Sequence, residues 1–148
     1  MKQPVIFWDV DTQHDFMDHT GKLYVTDAEQ IKPALKRLTD YARGRQIRIV
    51  ASADDHRAGD RELSATPDFR ETFPEHCMHG TPGAAKIAET TLVAPLVIEP
   101  EALSHETLAR TLYSHDGDVL LRKHWFDVFT NANTETLLDA WDPTEIVV

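Results

Sequence analysis

The sequence predicts an α/β fold: a mostly parallel sheet flanked by helices, within a single domain over residues 1–148. Three observations lead there. Short runs rich in Val and Ile recur five times, stretches of helical periodicity fall between them, and polar residues gather just past the ends of the runs. Strands that alternate with helices pair in parallel and are buried on both faces. At 148 residues the chain suits one core, which removes about two thirds of the unfolded surface from water.

The elements follow in order. The five runs lie at residues 5–10, 47–52, 96–98, 119–121 and 145–148, and each reads as a buried strand. Between the first two, Ile31, Leu35, Leu38 and Ala42 keep helical spacing. Pro33 is compatible with that helix only in its first turn, which predicts a helix over 33–43. Ser104 is a good N-cap and Leu103 with Leu108 occupy the positions of a hydrophobic staple, so a second helix is expected over 105–114. A third starts near Thr134, with Leu137, Leu138 and Trp141 facing inward. Residues 54–86 break the rhythm with Gly59, Pro67, Pro74, Gly80, Pro82 and Gly83. Irregular segments of this length in compact domains are usually functional or disordered, and this one is taken as an active-site loop.

Composition narrows the partners. With 25 acidic against 15 basic side chains the net charge is -10, which repels nucleic acid and anionic membrane surfaces. No apolar stretch approaches the roughly 20 residues of a membrane span, and Lys2 leads straight into a strand rather than a signal peptide, so a soluble, cytoplasmic protein is expected. The lone Cys77 gives no intrachain disulfide and suits a reducing compartment.

Open α/β sheets bind ligands beyond the carboxyl ends of their strands. Asp11, Asp54 and Lys123 follow the first, second and fourth runs and so point charge at one rim. Asp54 and His56 are two apart, hence on one side of an extended segment, and His76 returns after the loop. Two histidines with one carboxylate form a facial set suited to a divalent metal, Zn or Fe/Mn, with open positions. A D-x-H pair in a polar loop is equally compatible with simple solvation.

The opening "FWDVDTQ" resembles the D-x-D-x-T of haloacid-dehalogenase-like phosphatases, with Asp9 as nucleophile and Asp11 as acid/base. Ser52 and Lys123 would then meet phosphate. That pattern departs at Thr12, where the family has glycine, and Asp127 is the only acid soon after Lys123 where a magnesium-binding pair is expected. A second resemblance covers nearly the whole chain. "DTQHDF", "IVASADDH", "FPEHCMHGTPGA" and "LLRKHWFDVF" occur in the order and spacing of the isochorismatase-like cysteine hydrolases, and the chain is similar to their nicotinamidase-like branch.

That resemblance implies a three-layer Rossmann-like fold and a homo-oligomer acting on a small amide, nicotinamide or similar, through a thioester. It implies that Asp54, His56 and His76 bind the metal, that Asp11 is the catalytic acid/base, and that Lys123 pairs with it and favours the thiolate. Phe16 and Phe73 match positions that sandwich the substrate ring, though both also suit an ordinary core. Two departures stand out. Asp55 replaces an aromatic and is expected to enlarge or repolarise the pocket mouth. The family's nucleophilic cysteine follows the next strand, whereas this sequence stops at "TEIVV". Cys77 falls where the family has a non-catalytic cysteine, and nothing near it marks a reactive thiol. The expectation is therefore the first two thirds or so of such an enzyme, inactive alone, with its nucleophile past Val148. The alternative is a truncated homologue that binds metal or ligand without chemistry.

Overall fold

The computed structural model describes residues 3–148. Its strands are β1 (Val5–Val10), β2 (Arg48–Asp54), β3 (Leu96–Ile98), β4 (Val119–Lys123) and β5 (Glu145–Val147), and they form one sheet in the order β3-β4-β2-β1-β5. Every pairing among the described residues is parallel, in keeping with the mostly parallel sheet expected. Central β2 is buried continuously from Ile49, as expected of a strand with neighbours on both edges and helices on both faces.

Two strands outrun their apolar residues. The ladder continues through Ser52–Leu121 and Ala53–Arg122 to Asp54–Lys123, because backbone pairing makes no demand on side-chain polarity. At its start β2 begins one residue later than expected, since the Ile47 amide is taken by the Ala42 carbonyl at 2.8 Å in the turn closing the preceding helix.

The helices are α1 (His14–Met17), α2 (Lys32–Gly44), α3 (His105–Ser114) and α4 (Thr134–Trp141). Pro33 lies in the first turn of α2, where its missing N–H is not needed. Ser104 caps α3 by accepting the Thr107 amide at 3.2 Å. The single turn α1 is too short to show a period in sequence. Leu108 and Leu112 of α3 with Leu137 and Trp141 of α4 pack against Ile6, Trp8, Val50, Val119 and Leu121 on one face of the sheet. On the other face Tyr41 of α2 stacks on Phe7 at 6.2 Å between ring centroids. Three layers result.

Residues 55–86 are irregular but anchored. Isolated bridges join Gln13 to Lys86, His56 to Met78 and Leu63 to Phe73, and a short 3-10 turn covers Pro82–Ala84. Among the described residues no helix is long and apolar enough to cross a membrane.

Candidate active site and metal centre

All five strands point their carboxyl ends the same way, so β1, β2 and β4 deliver their terminal residues to one rim. In a parallel ladder, register partners project to the same face. Asp54 and Lys123 are such partners, and the Lys123 ammonium donates to the Asp54 carboxylate. It also lies 3.1 Å from Asp11 Oδ2. Asp11 turns out of β1 with φ at 51°, a left-handed conformation that costs energy for a residue with a side chain. The turn is held because the Asp11 amide donates to the Ser52 carbonyl at 3.2 Å and Ser52 Oγ donates to Asp11 Oδ1 at 2.7 Å. Burial pushes the Lys123 pKa down, but the Asp54 and Asp11 carboxylates outweigh it and hold the ammonium protonated above its ordinary range. Burial likewise pushes Asp54 up, yet the adjoining His56 and His76 imidazoles and the Lys123 ammonium leave it well below the usual carboxylate range.

Asp54 also belongs to a cluster of four buried donors. Ligand atoms of Asp54, His56, Glu62 and His76 all fall within 4.8 Å of one another. His76 Nε2 stands 3.5 Å from Asp54 Oδ2 and 3.6 Å from Glu62 Oε1. His56 Nε2 stands 3.7 Å from Asp54 Oδ2 and 3.8 Å from Glu62 Oε2. These gaps exceed good hydrogen bonds, and His56 Nε2, His76 Nε2 and Glu62 Oε2 are buried without a hydrogen-bond partner. Two ligand atoms on a tetrahedral zinc, each about 2.1 Å away, stand about 3.4 Å apart. Two carboxylates with two imidazoles balance a dication, so the residues fit a divalent metal in charge, spacing and unmet valence. His76 Nδ1 faces the Pro74 carbonyl at 2.7 Å, which sets the proton there and leaves Nε2 as the free donor.

Glu62 is the residue that sequence reasoning missed. Burial and then the Asp54 charge raise its pKa above the ordinary value. Gln13 lies inside the "DTQHDF" motif, where nothing in sequence marks its role, and it proves to be the brace of the site. It is fully buried; its amide donates to the Asp54 and Ala84 carbonyls and accepts the Asp54 amide, each at 2.8 Å.

A cleft of about 420 Å³ opens over the cluster, lined by Asp11, Phe16, Asp54, Phe73, His76 and Lys123 together with Glu62 and Phe126. The Phe16 and Phe73 rings lie 5.5 and 6.3 Å from the His76 ring, so both border the same imidazole. His56, the remaining residue singled out from sequence, packs edge-on against His76 at 4.7 Å.

Three other residues settle elsewhere. Asp55 does not line the cleft mouth as expected: successive residues of an extended segment alternate in direction, and its buried carboxylate meets His79 Nδ1 at 2.9 Å and Arg122 at 3.9 Å. Asp9 is held by Lys86 at 2.9 Å and by the Thr12 hydroxyl at 2.7 Å. Cys77 is fully buried, its amide donates to Asp15 Oδ2 at 2.7 Å, and burial followed by the Asp54, Asp15 and Asp11 charges pushes its thiol well above the ordinary cysteine range.

No family model matches the chain. A nicotinamidase/pyrazinamidase from Mycobacterium tuberculosis is 38% identical over 79 residues, which span 51% of this chain and only 39% of that relative. A pyrazinamidase/nicotinamidase structure from Streptococcus mutans UA159 superposes with a TM-score of 0.66 at 18% identity, covering 96% of this chain and 68% of that one. A pyrazinamidase of Pyrococcus horikoshii in complex with zinc gives a TM-score of 0.56 at 18% identity over 98% of this chain and 99% of that one. The chain thus shares its fold with these hydrolases and a local stretch of sequence with a nicotinamidase/pyrazinamidase, of whose length it spans well under half.

Proposed function

We propose that these residues form the metal- and substrate-binding part of a cysteine amidohydrolase that converts a small amide, nicotinamide or a close analogue, to its acid and ammonia through a thioester. One observation carries the reading: four buried donors, three of them with unpartnered atoms, cluster beneath a cleft that Asp54, Glu62 and His76 line together with the Asp11–Lys123 pair and two phenylalanines. The curated relative and the solved neighbours bearing amidase names support it.

Asp54, His56, Glu62 and His76 would hold a divalent cation, zinc being favoured by the donor set, which supplies a Lewis acid for a ring nitrogen or carbonyl oxygen of the substrate. Phe16 and Phe73 flank a flat ring and exclude water from it. Asp11 takes the proton of the attacking thiol, and the sulfur then bonds to the amide carbon. As the C–N bond breaks, Asp11 returns that proton to the departing ammonia; water then splits the thioester to give the acid. Lys123, paired with Asp11, places a positive charge that favours thiolate. Cys77, buried and hard to ionise, is not the nucleophile, and the attacking thiol comes from outside residues 1–148.

The test is ammonia release from nicotinamide by the intact protein isolated from its own cells. Release that is lost on Lys123→Ala or Asp11→Ala supports the reading. The 148-residue chain alone should bind zinc and release no ammonia. Phosphate release from monoesters, sensitive to Asp9→Asn, would overturn the proposal.

A further inference from the structure

We infer that Asp60 is a positioning residue of the metal centre, fixing the tautomer of His56 from behind, with His124 packed against Asp60. This rests on the cation site proposed above. His56 Nε2 faces the donor cluster, and it offers a lone pair there only if the ring proton sits on Nδ1. That Nδ1 lies 3.3 Å from Asp60 Oδ2.

The loop is built to put it there. Asp60 Oδ2 accepts the Arg57 amide at 2.9 Å, the Asp60 amide donates to the Arg57 carbonyl at 3.0 Å, and the Leu63 amide donates to the Asp60 carbonyl at 2.9 Å. These tight turns place two carboxylates of one short loop on opposite sides of a single imidazole. Glu62 meets the Nε2 side at 3.8 Å and Asp60 the Nδ1 side at 3.3 Å. A carboxylate behind a ligating imidazole fixes its orientation and makes it a stronger base toward the metal, whereas His76 has only the neutral Pro74 carbonyl in that position.

His124 follows Lys123 at the end of β4, and its buried Nδ1, which makes no hydrogen bond, packs 3.4 Å from the same Asp60 Oδ2. Beside it the Arg61 guanidinium sits 3.6 Å over the Trp125 ring. Two consecutive loop residues thus clamp two consecutive residues just past the lysine, so the ligand-bearing loop and the strand carrying Lys123 are set relative to each other.

The experiment is zinc affinity of the 148-residue chain, measured by competition with a chromophoric chelator and paired with the cobalt(II) absorption spectrum. Asp60→Ala should weaken zinc binding about 10- to 100-fold and change the cobalt bands. Asp60→Asn, which keeps an acceptor for the Nδ1 proton, should recover part of the loss, and His124→Ala should fall between Asp60→Asn and the parent chain. Melting of the metal-free chain should fall only by the loss of the Arg57 turn contact, far less than the loss in zinc affinity. Parent-like zinc affinity in Asp60→Ala overturns the inference, as does an affinity loss wholly matched by a lower metal-free melting temperature. His56→Ala separates the two levels: if it binds zinc like the parent, the cation site itself is wrong. If it loses zinc while Asp60→Ala does not, only the role of Asp60 falls.

Discussion

Gln13 carries out no chemistry, yet it joins the end of β1 to the cleft: three hydrogen bonds tie it to Asp54 and Ala84 with nothing exposed. Gln13→Ala would strand the Asp54 amide and two carbonyls in a dry site, a loss on the order of 2–4 kcal/mol. Urea denaturation of the metal-free chain reads that loss, and zinc affinity should fall with it because Asp54 is no longer braced. Lys123 is the sharper case, since one buried ammonium is shared by Asp11 and Asp54. Lys123→Met leaves two carboxylates without their shared counter-ion, and the destabilisation should reach about 3–5 kcal/mol by the same measurement at neutral pH. Asp11, Asp54 and Lys123 are legible because strand ends and side-chain alternation are written in sequence. Glu62 is not: Asp60 and Glu62 sit in one short acidic stretch, and only the folded turn decides which carboxylate faces the cluster. Asp55 shows the opposite error, since its family position suggests the cleft mouth although strict alternation next to Asp54 already points it away.

At the scale of elements, the Val- and Ile-rich runs locate every strand, and Ser104 and Pro33 locate two helix starts. What sequence does not show is register. The meeting of Asp54 with Lys123 depends on β4 pairing with β2 rather than with any other strand, a long-range choice that no local pattern encodes. The long loop is recognisable by its Gly and Pro content, but its anchoring is invisible. Part of that anchoring is a close approach at Gly83. A Cβ there would collide with Asp15 Oδ2, the atom that accepts the amide of Cys77, next to His76. Gly83→Ala must therefore displace the Asp15 carboxylate and loosen the support of a metal ligand. The expected cost is about 1–3 kcal/mol in denaturation, with weaker zinc binding. At a site remote from the cleft, Ser104→Ala should cost about 1 kcal/mol through the lost cap of α3 and leave zinc affinity untouched.

For the whole molecule, the buried cluster makes stability depend on pH in opposite senses with and without metal. In the metal-free chain burial lowers the His56 pKa, but Asp54 and Glu62 outweigh it and raise it above 6.5; Glu62 is raised above 4.5 by burial and by Asp54. A group raised on folding contributes stability that is present below its unfolded value and lost as pH climbs through the folded one. Asp54 is lowered from 3.8, so its contribution is present above that value and lost as pH falls through the folded one. The metal-free chain should thus be most stable between about pH 4 and 6.5 and weaken toward pH 8. A cation reverses the trend, because it binds deprotonated carboxylates and imidazoles and displaces the protons that stabilised the empty cluster. Zinc at about 100 times its Kd adds about 2.7 kcal/mol, and the Kd itself should fall as pH rises. Calorimetric melting at matched zinc and chelator conditions, from about pH 5.5 to 8, should show the zinc increment growing with pH. An increment that does not change across that range would mean that zinc displaces no proton from His56, and that this imidazole is not its ligand.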